Sequence, residues 1–177
     1  NYEKNIFDYV TMDQVIEHFT NPQEVLNGIY SILKPNGYAI LSTPNSNGWG
    51  AWLFGKKWIN WHAPYHLQHF SKKSLYMVAN KSGFEIETIK TITSSEWLHY
   101  QWLHLITLPK EGEKSIFWSN AQFKKTISQK IILKLINLWH KTKINHLITR
   151  FFDSFQIGDN YLIILKKKND IHYTACT

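Results

Sequence analysis

Apolar and polar positions along the chain change period several times, and each change marks an element. Ile6-Phe7-Asp8-Tyr9-Val10-Thr11 is rich in aromatic and β-branched residues and predicts a short strand. A helix is expected next, with Thr11 or Asp13 as its cap. A second helix is expected from Asn21: Asn21 caps it, Pro22 takes the first helical position and Glu24 lies in the first turn. Val25, Leu26, Ile29, Ile32 and Leu33 fall on one helical face. Lys34-Pro35-Asn36-Gly37 should stop the helix, because proline cannot continue it and Gly37 can take positive φ. Tyr38 to Thr43 is a nearly continuous apolar run, the pattern of a strand covered on both faces. Residues 44–70 lack a period and hold Gly48, Gly50, Gly55, Trp49, Trp52, Trp58 and Trp61. Ser71 caps a third helix that ends at Ser82-Gly83, and Phe84 to Ile89 alternates as a strand. Residues 96–156 read as helical in two or more pieces, broken near Pro109 and Gly112. Residues 159–168 read as a last strand around Leu162 to Leu165, and 169–177 as a tail.

Strands separated by helices predict an α/β fold with a largely parallel sheet. Ligands of such sheets sit beyond the carboxyl ends of the strands, which places Thr11-Met12-Asp13 and Thr43-Pro44-Asn45 at the site edge. A length of 177 residues suits one domain. A lone cysteine, Cys176, excludes an internal disulfide framework or a zinc-thiolate site within one chain. No apolar run approaches the length of a membrane span, and a cytoplasmic setting is the default expectation. The chain does not begin with Met and its first strand starts by residue 6, so it is expected to be a piece of a longer protein.

The net charge of +7 is concentrated. Ser115 to Phe152 holds no Asp or Glu, yet contains Lys124, Lys125, Lys130, Lys134, Lys141, Lys143 and Arg150. Phe123, Ile127, Ile131, Leu135 and Leu138 form an apolar stripe beside these cations. This segment reads as a substrate cap with a solvated basic face, or as a peripheral membrane-surface element over 123–150. Nucleic acid is the least favoured partner.

Together "FDYVTMDQVIEHFTNPQEVLNGIYSILKPNGYAILSTPN" and "HAPYHLQHFSKKSLYMVANKSGFEI" resemble the second half of a class I S-adenosylmethionine-dependent methyltransferase. The second stretch is similar to a bacterial subgroup associated with cell-surface sugar pathways. The resemblance is carried by a Phe-Asp strand, an Ile-Glu-His helix, an Asn-Pro helix start, a Leu-Lys-Pro-x-Gly turn and a Ser-Thr-Pro-Asn strand end, over residues 5–91. It implies a Rossmann-like methyltransferase half-sheet of strand order 4-5-7-6 in the family's numbering, the last strand antiparallel, with a helical insertion over 96–157. S-adenosylmethionine is the implied cofactor, and a small molecule such as a sugar or lipid-linked intermediate the implied acceptor. The family's glycine-rich loop and ribose-binding acid have no counterpart in this sequence. Gly48-Trp49-Gly50 is no substitute, since Trp49 and Trp52 would crowd a phosphate. The chain alone is therefore expected to be inactive, with a missing N-terminal half or a homo-oligomeric copy as its partner. A non-catalytic, partner-binding half is the alternative.

Within this frame Thr11, Met12 and Asp13 are the cofactor-side candidates, Thr43, Asn45, Trp61 and His69 the acceptor-side candidates, and His66, His62 and His18 the catalytic ones. A methyl transfer to oxygen needs a base, and histidine suits that task near neutral pH. Glu17 and His18 point about 100° apart on a helix, so they are not expected to share a metal. Glu17 is expected to support its helix or a neighbouring loop. His62, His66 and His69 have helical metal spacing, but Pro64 disfavours the helix, and no metal is expected. A histidine-cluster metal-dependent hydrolase is the further alternative. The tryptophans read either as an acceptor platform or as a small core.

Overall fold

The computed structural model describes residues 3–108 and 126–168. Phe123, Lys124, Lys125, the break near Pro109 and Gly112, and the tail with Cys176 lie outside them. The described residues form two compact units, one from residues 3–46, 63–91 and 160–168, the other from 47–62, 92–108 and 126–159.

The first unit carries a four-stranded sheet of β1 (Phe7–Asp13), β2 (Leu33–Pro44), β3 (Phe84–Ile92) and β4 (Asn160–Lys167), in the order β1-β2-β4-β3. β1 and β2 are parallel, with Val10 opposite Ala39 and Met12 opposite Leu41. β4 runs antiparallel to β2, with Ile163 opposite Leu41. This is the order and the antiparallel strand expected from the sequence. Helices α1 (Pro22–Ile32) and α3 (Lys72–Lys81) belong to the same unit, and Leu26, Ile29, Leu75 and Ala79 pack with Leu41, Phe84 and Ile163 in one core.

Local caps follow the side-chain chemistry. Asn21 accepts from the Glu24 amide at 3.4 Å, and Ser71 accepts from Ser74 N–H at 3.2 Å. Four expectations are corrected. Neither Thr11 nor Asp13 caps a helix, because β1 extends through Asp13 and only a single 3₁₀ turn, Ile16–His18, follows. The stop after α1 is no separate turn: the chain passes directly into β2, with a register shift between Phe7 and Tyr9. Asn36 rather than Gly37 takes positive φ (63°). Gly37 is needed for closeness, since a Cβ there would lie 2.9 Å from the Lys34 carbonyl oxygen and 3.1 Å from that of Asp8. Residues 44–70 are also less irregular than expected, with helix α2 (Trp49–Phe54) and 3₁₀ turns at Gly55–Lys57 and Ile59–Trp61.

The second unit holds α2, α4 (Ser95–Ile106), α5 (Ile127–Lys141) and α6 (Ile144–Ser154). Trp49 stacks on Phe152 with ring centroids 4.3 Å apart, and Trp58 is buried edge-on to Trp61. Those tryptophans close a small core; Trp52 is 84% exposed. Gly50 N–H donates to the buried Asp159 carboxylate at 2.7 Å, and a Cβ at Gly50 would collide with that carboxylate. Gly48-Trp49-Gly50 is thus a packing feature.

Burial raises the Asp159 pKa to about 6; the Gly50 N–H pulls it down and the Asp153 charge pushes it up. Because the folded value exceeds the unfolded one, the contribution to stability is whole below about pH 4. It falls as pH rises toward 6, where the unfolded carboxyl ionises first. The two-unit difference corresponds to about 3 kcal/mol. Chemical denaturation between pH 4 and 7 should show this slope, and Asp159→Asn, which keeps the acceptor for Gly50, should flatten it. A slope identical in both proteins would refute the assignment.

Candidate functional site

The site is built in the first unit, where β1 and β2 end side by side. β1 lies at one end of the strand order. At its carboxyl end Thr11 and Asp13 are exposed and Met12 is half-buried. Gln14 turns the chain with φ of 52°, and its backbone and side-chain N–H groups donate to Ser42 Oγ at 3.2 and 3.0 Å. Ser42 Oγ in turn donates to the Asp13 carboxylate. Asp13 is thereby committed to the join between β1 and β2.

The 3₁₀ turn places Glu17 inward and His18 outward: Glu17 is fully buried and His18 exposed. Thr43 Oγ1, at the end of β2, donates to Glu17 Oε2 at 3.0 Å. Oε1 is buried and makes no hydrogen bond. Burial pushes the Glu17 carboxyl above the usual range; its own amide, the Thr43 hydroxyl and the neighbouring His18 counteract this, while Asp13 adds to it.

The backbone of Glu17 does a second job. Its carbonyl oxygen accepts from Leu67 N–H at 2.8 Å and from Gln68 N–H at 3.0 Å. These two bonds to the backbone carbonyl fasten the 63–69 loop to the turn. The loop brings His66 beside His18, with ring centroids 4.8 Å apart, edge to face. His18 Nδ1 lies 3.0 Å from the Tyr65 carbonyl oxygen, which can only accept, so that nitrogen carries the proton.

The ligand atoms of Glu17, His18 and His66 lie within 4.8 Å of one another. In this 3₁₀ turn the side chains of Glu17 and His18 approach more closely than a divergence of about 100° on an α-helix suggests. Among the described residues no such group joins His62, His66 and His69, and no helix runs through them.

The other sequence candidates fall as follows. Thr43 is buried on Glu17. Asn45 is 2% exposed and sits in a parallel bridge to Phe70. His69 is exposed, its ring 6.5 Å from that of His66. His62 and Trp61 belong to the second unit: His62 ends a 3₁₀ turn at φ of 37°, and Trp61 Nε1 donates to the Gly55 carbonyl at 2.7 Å. Sequence reasoning missed Ser42 as the group that engages Asp13, and Glu17 as the centre of the cluster. The signal for Glu17 was a lone acid in an apolar stretch next to a strand end.

A methyltransferase-domain family model matches residues 1–89. Over 103 residues the chain is 30% identical to the ubiquinone biosynthesis O-methyltransferase of Rickettsia prowazekii, an alignment covering 52% of this chain and 40% of that protein. The Rickettsia typhi protein of the same name matches equally, with 42% of its length covered. The chain spans about 40% of the length of the curated relatives it matches. Among solved structures, a SAM-dependent methyltransferase from Thermotoga maritima superposes with a TM-score of 0.52 at 17% identity, covering 94% of this chain and 58% of that one. A phosphoethanolamine N-methyltransferase from Haemonchus contortus, solved with S-adenosylhomocysteine, superposes with a TM-score of 0.51 at 20% identity, covering 95% of this chain and 34% of that one. These two likenesses show a shared Rossmann-like fold.

Proposed function

Because the chain belongs to the methyltransferase-domain family, we propose that it forms the acceptor-side half of an enzyme that moves a methyl group from S-adenosylmethionine to a hydroxyl oxygen of a small acceptor. The observation that carries this reading is the buried Glu17 carboxylate with His18 and His66, gathered where β1 and β2 end. The relatives named for O-methylation support an oxygen nucleophile. The resemblance of 62–86 to a sugar-pathway subgroup supports a sugar or lipid-linked acceptor.

Bound S-adenosylmethionine supplies an electrophilic methyl group on a sulfonium sulfur. This chain's residues fit one flank of that cofactor. Exposed Thr11 and Asp13 and half-buried Met12 line the carboxyl end of β1, and Asp13, which accepts one hydrogen bond from Ser42, keeps further acceptor positions. On the acceptor side, the Glu17, His18 and His66 cluster takes the hydroxyl proton as the oxygen bonds to the methyl carbon. Alignment and exclusion of water supply the remainder of the rate.

Calorimetry on the 177 residues should show binding of S-adenosylmethionine weaker than micromolar, because the family's glycine-rich loop and ribose-binding acid have no counterpart in this sequence. Micromolar affinity, about 8 kcal/mol, would refute the half-site account. A full-length enzyme that folds, binds the cofactor and methylates no hydroxyl acceptor would refute the activity.

The helical unit suits a peripheral contact with an anionic lipid surface. Ile127, Ile131, Leu135 and Leu138 on α5 are all more than half exposed, and Lys130, Lys134 and Lys141 share that helix. No helix of the described residues is long and apolar enough to cross a membrane. Vesicle co-sedimentation should be stronger with anionic than with neutral lipid and should weaken with salt and on charge reversal at Lys130 and Lys134. Equal sedimentation with both lipids would leave the substrate-cap reading in its place.

A further inference from the structure

We propose that His99 and His140 form a pH-sensitive latch between α4 and α5: with both rings neutral they stack and hold α5 in place, and a proton on either ring loosens that hold. The ring centroids lie 4.5 Å apart, with the planes tilted by 31°. At the other end of the helix pair, the Gln129 side-chain amide donates to the Ile106 carbonyl at 3.4 Å. The start of α5 therefore lies by the end of α4, and the end of α5 by the first turns of α4. The two helices are antiparallel, and the histidine pair fastens the far end of α5.

That tie matters because α5 is shallowly seated. None of its 15 residues is buried. Ile127, Ile131, Ile132, Leu135, Leu138 and Trp139 are all exposed. With so little apolar burial, a change at one contact weighs more on α5 than it would in the sheet core.

The surroundings of the pair make a charge there costly. Nδ1 of both rings is buried and makes no hydrogen bond. A neutral imidazole tolerates this when that nitrogen carries no proton, whereas an imidazolium is a donor at both nitrogens. Protonation would leave a buried N–H without an acceptor and set a charge against the second ring. Burial and then the His140 charge hold His99 below its ordinary value of 6.5, while Glu96, one turn earlier on α4, pulls the other way. Lys141 follows His140 in sequence and adds a positive charge. α6 brings no relief: Arg150 and Asp153 pair with each other at Thr93, and His146 is exposed. Because the folded value of His99 lies below the unfolded one, its hold is whole above about pH 6.5 and is lost as pH falls through the folded value.

α5 is also the helix proposed above to meet anionic lipid, so the latch would make that contact depend on pH. This consequence rests on the lipid reading; the latch is tested without lipid, and the two can fail separately.

The test is hydrogen exchange of the 177-residue chain, read by mass spectrometry at about pH 7.5 and about pH 5.5 and corrected for the intrinsic rates. Opening of α5 should rise several-fold on acidification, with a ceiling of about 10-fold per histidine if the closed latch takes no proton. His99→Phe with His140→Phe keeps two stacked rings and removes their titration, so most of that rise should vanish. His104, on α4 and also held below its ordinary value by burial, remains in both proteins and contributes equally to each. In the parent chain, proton NMR should show His99 titrating below 6.5, and His140→Phe should move that titration upward by removing the neighbouring charge. An α5 response that is the same in parent and double variant overturns the latch. So does a His99 titration at or above its ordinary value. Equal opening of α2, α4, α5 and α6 on acidification would mean that the whole unit unfolds, and would overturn it too.

Discussion

In the complete enzyme, His66→Ala is expected to lower turnover by about 10²-fold or more, while cofactor affinity and melting temperature change little. The ring stands beside His18 at the end of the sheet proposed to receive the acceptor, and it belongs to the cluster proposed to ionise the acceptor hydroxyl. The loop keeps its position without the ring, because the Leu67 and Gln68 amides, rather than the imidazole, fasten it to Glu17. His66 is half-buried, so its removal takes little apolar area out of the core. A purely structural histidine would behave differently: the melting temperature would fall, and activity would fall only with the folded fraction. Turnover per folded molecule and thermal stability, measured together on the same variant, separate the two cases. Normal turnover per folded molecule would take His66 off the catalytic list.

Gly158→Ala is expected to destabilise the helical unit by about 3 kcal/mol, the range for a disrupted buried polar network. The added Cβ would collide with the Asp153 carboxylate and stand 2.8 Å from Thr93 Oγ1. That carboxylate accepts from the Thr93 amide at 2.9 Å and from the Thr93 hydroxyl at 2.8 Å. Arg150 ties to it at 2.6 Å and also donates to the Thr93 carbonyl, while the Asp159 amide donates to Thr93 Oγ1 at 2.8 Å. To admit a methyl group the carboxylate must swing away, leaving the Thr93 amide and hydroxyl without their acceptor in buried surroundings. Urea denaturation should show a lower midpoint with an unchanged slope. A loss below about 1 kcal/mol would show that the network relaxes around the methyl. Gly28 provides the contrast: nothing lies within 4 Å of a Cβ there, and it sits within α1, so Gly28→Ala should stabilise by roughly 0.5–1 kcal/mol.

Features set by neighbours in the chain were legible before any coordinates. The caps at Asn21 and Ser71 depend on a side chain and an amide three residues on, so composition alone exposed them. The four strands were visible as apolar or alternating runs, and the family resemblance supplied their order. The local reading failed where a distant group intervened. β1 runs on through Asp13 because Met12 and Asp13 find partners in Leu41 and Ser42 of β2. Gly37 is required by carbonyl groups on both sides of a register shift, one of them from β1. Lys167 looks like surface in a run of lysines, yet it is buried with its ammonium on Asn5, Tyr30 and Leu33.

The cluster shows the same division. Its residue types were legible: an acid beside a histidine after a strand, and a histidine in an aperiodic loop. Their convergence was not, because the contact joins Glu17 to a loop some fifty residues later through backbone amides that every sequence possesses. By itself the sequence determined the strands, the caps at Asn21 and Ser71, the family and the absence of a glycine-rich loop, since each depends on short-range patterns of side chains. Only the tertiary structure decided that Glu17 is buried with an oxygen to spare, that Asp13 is committed to Ser42, and that His66 rather than His62 joins His18. Those outcomes depend on long-range hydrogen bonds and burial, which no local pattern encodes.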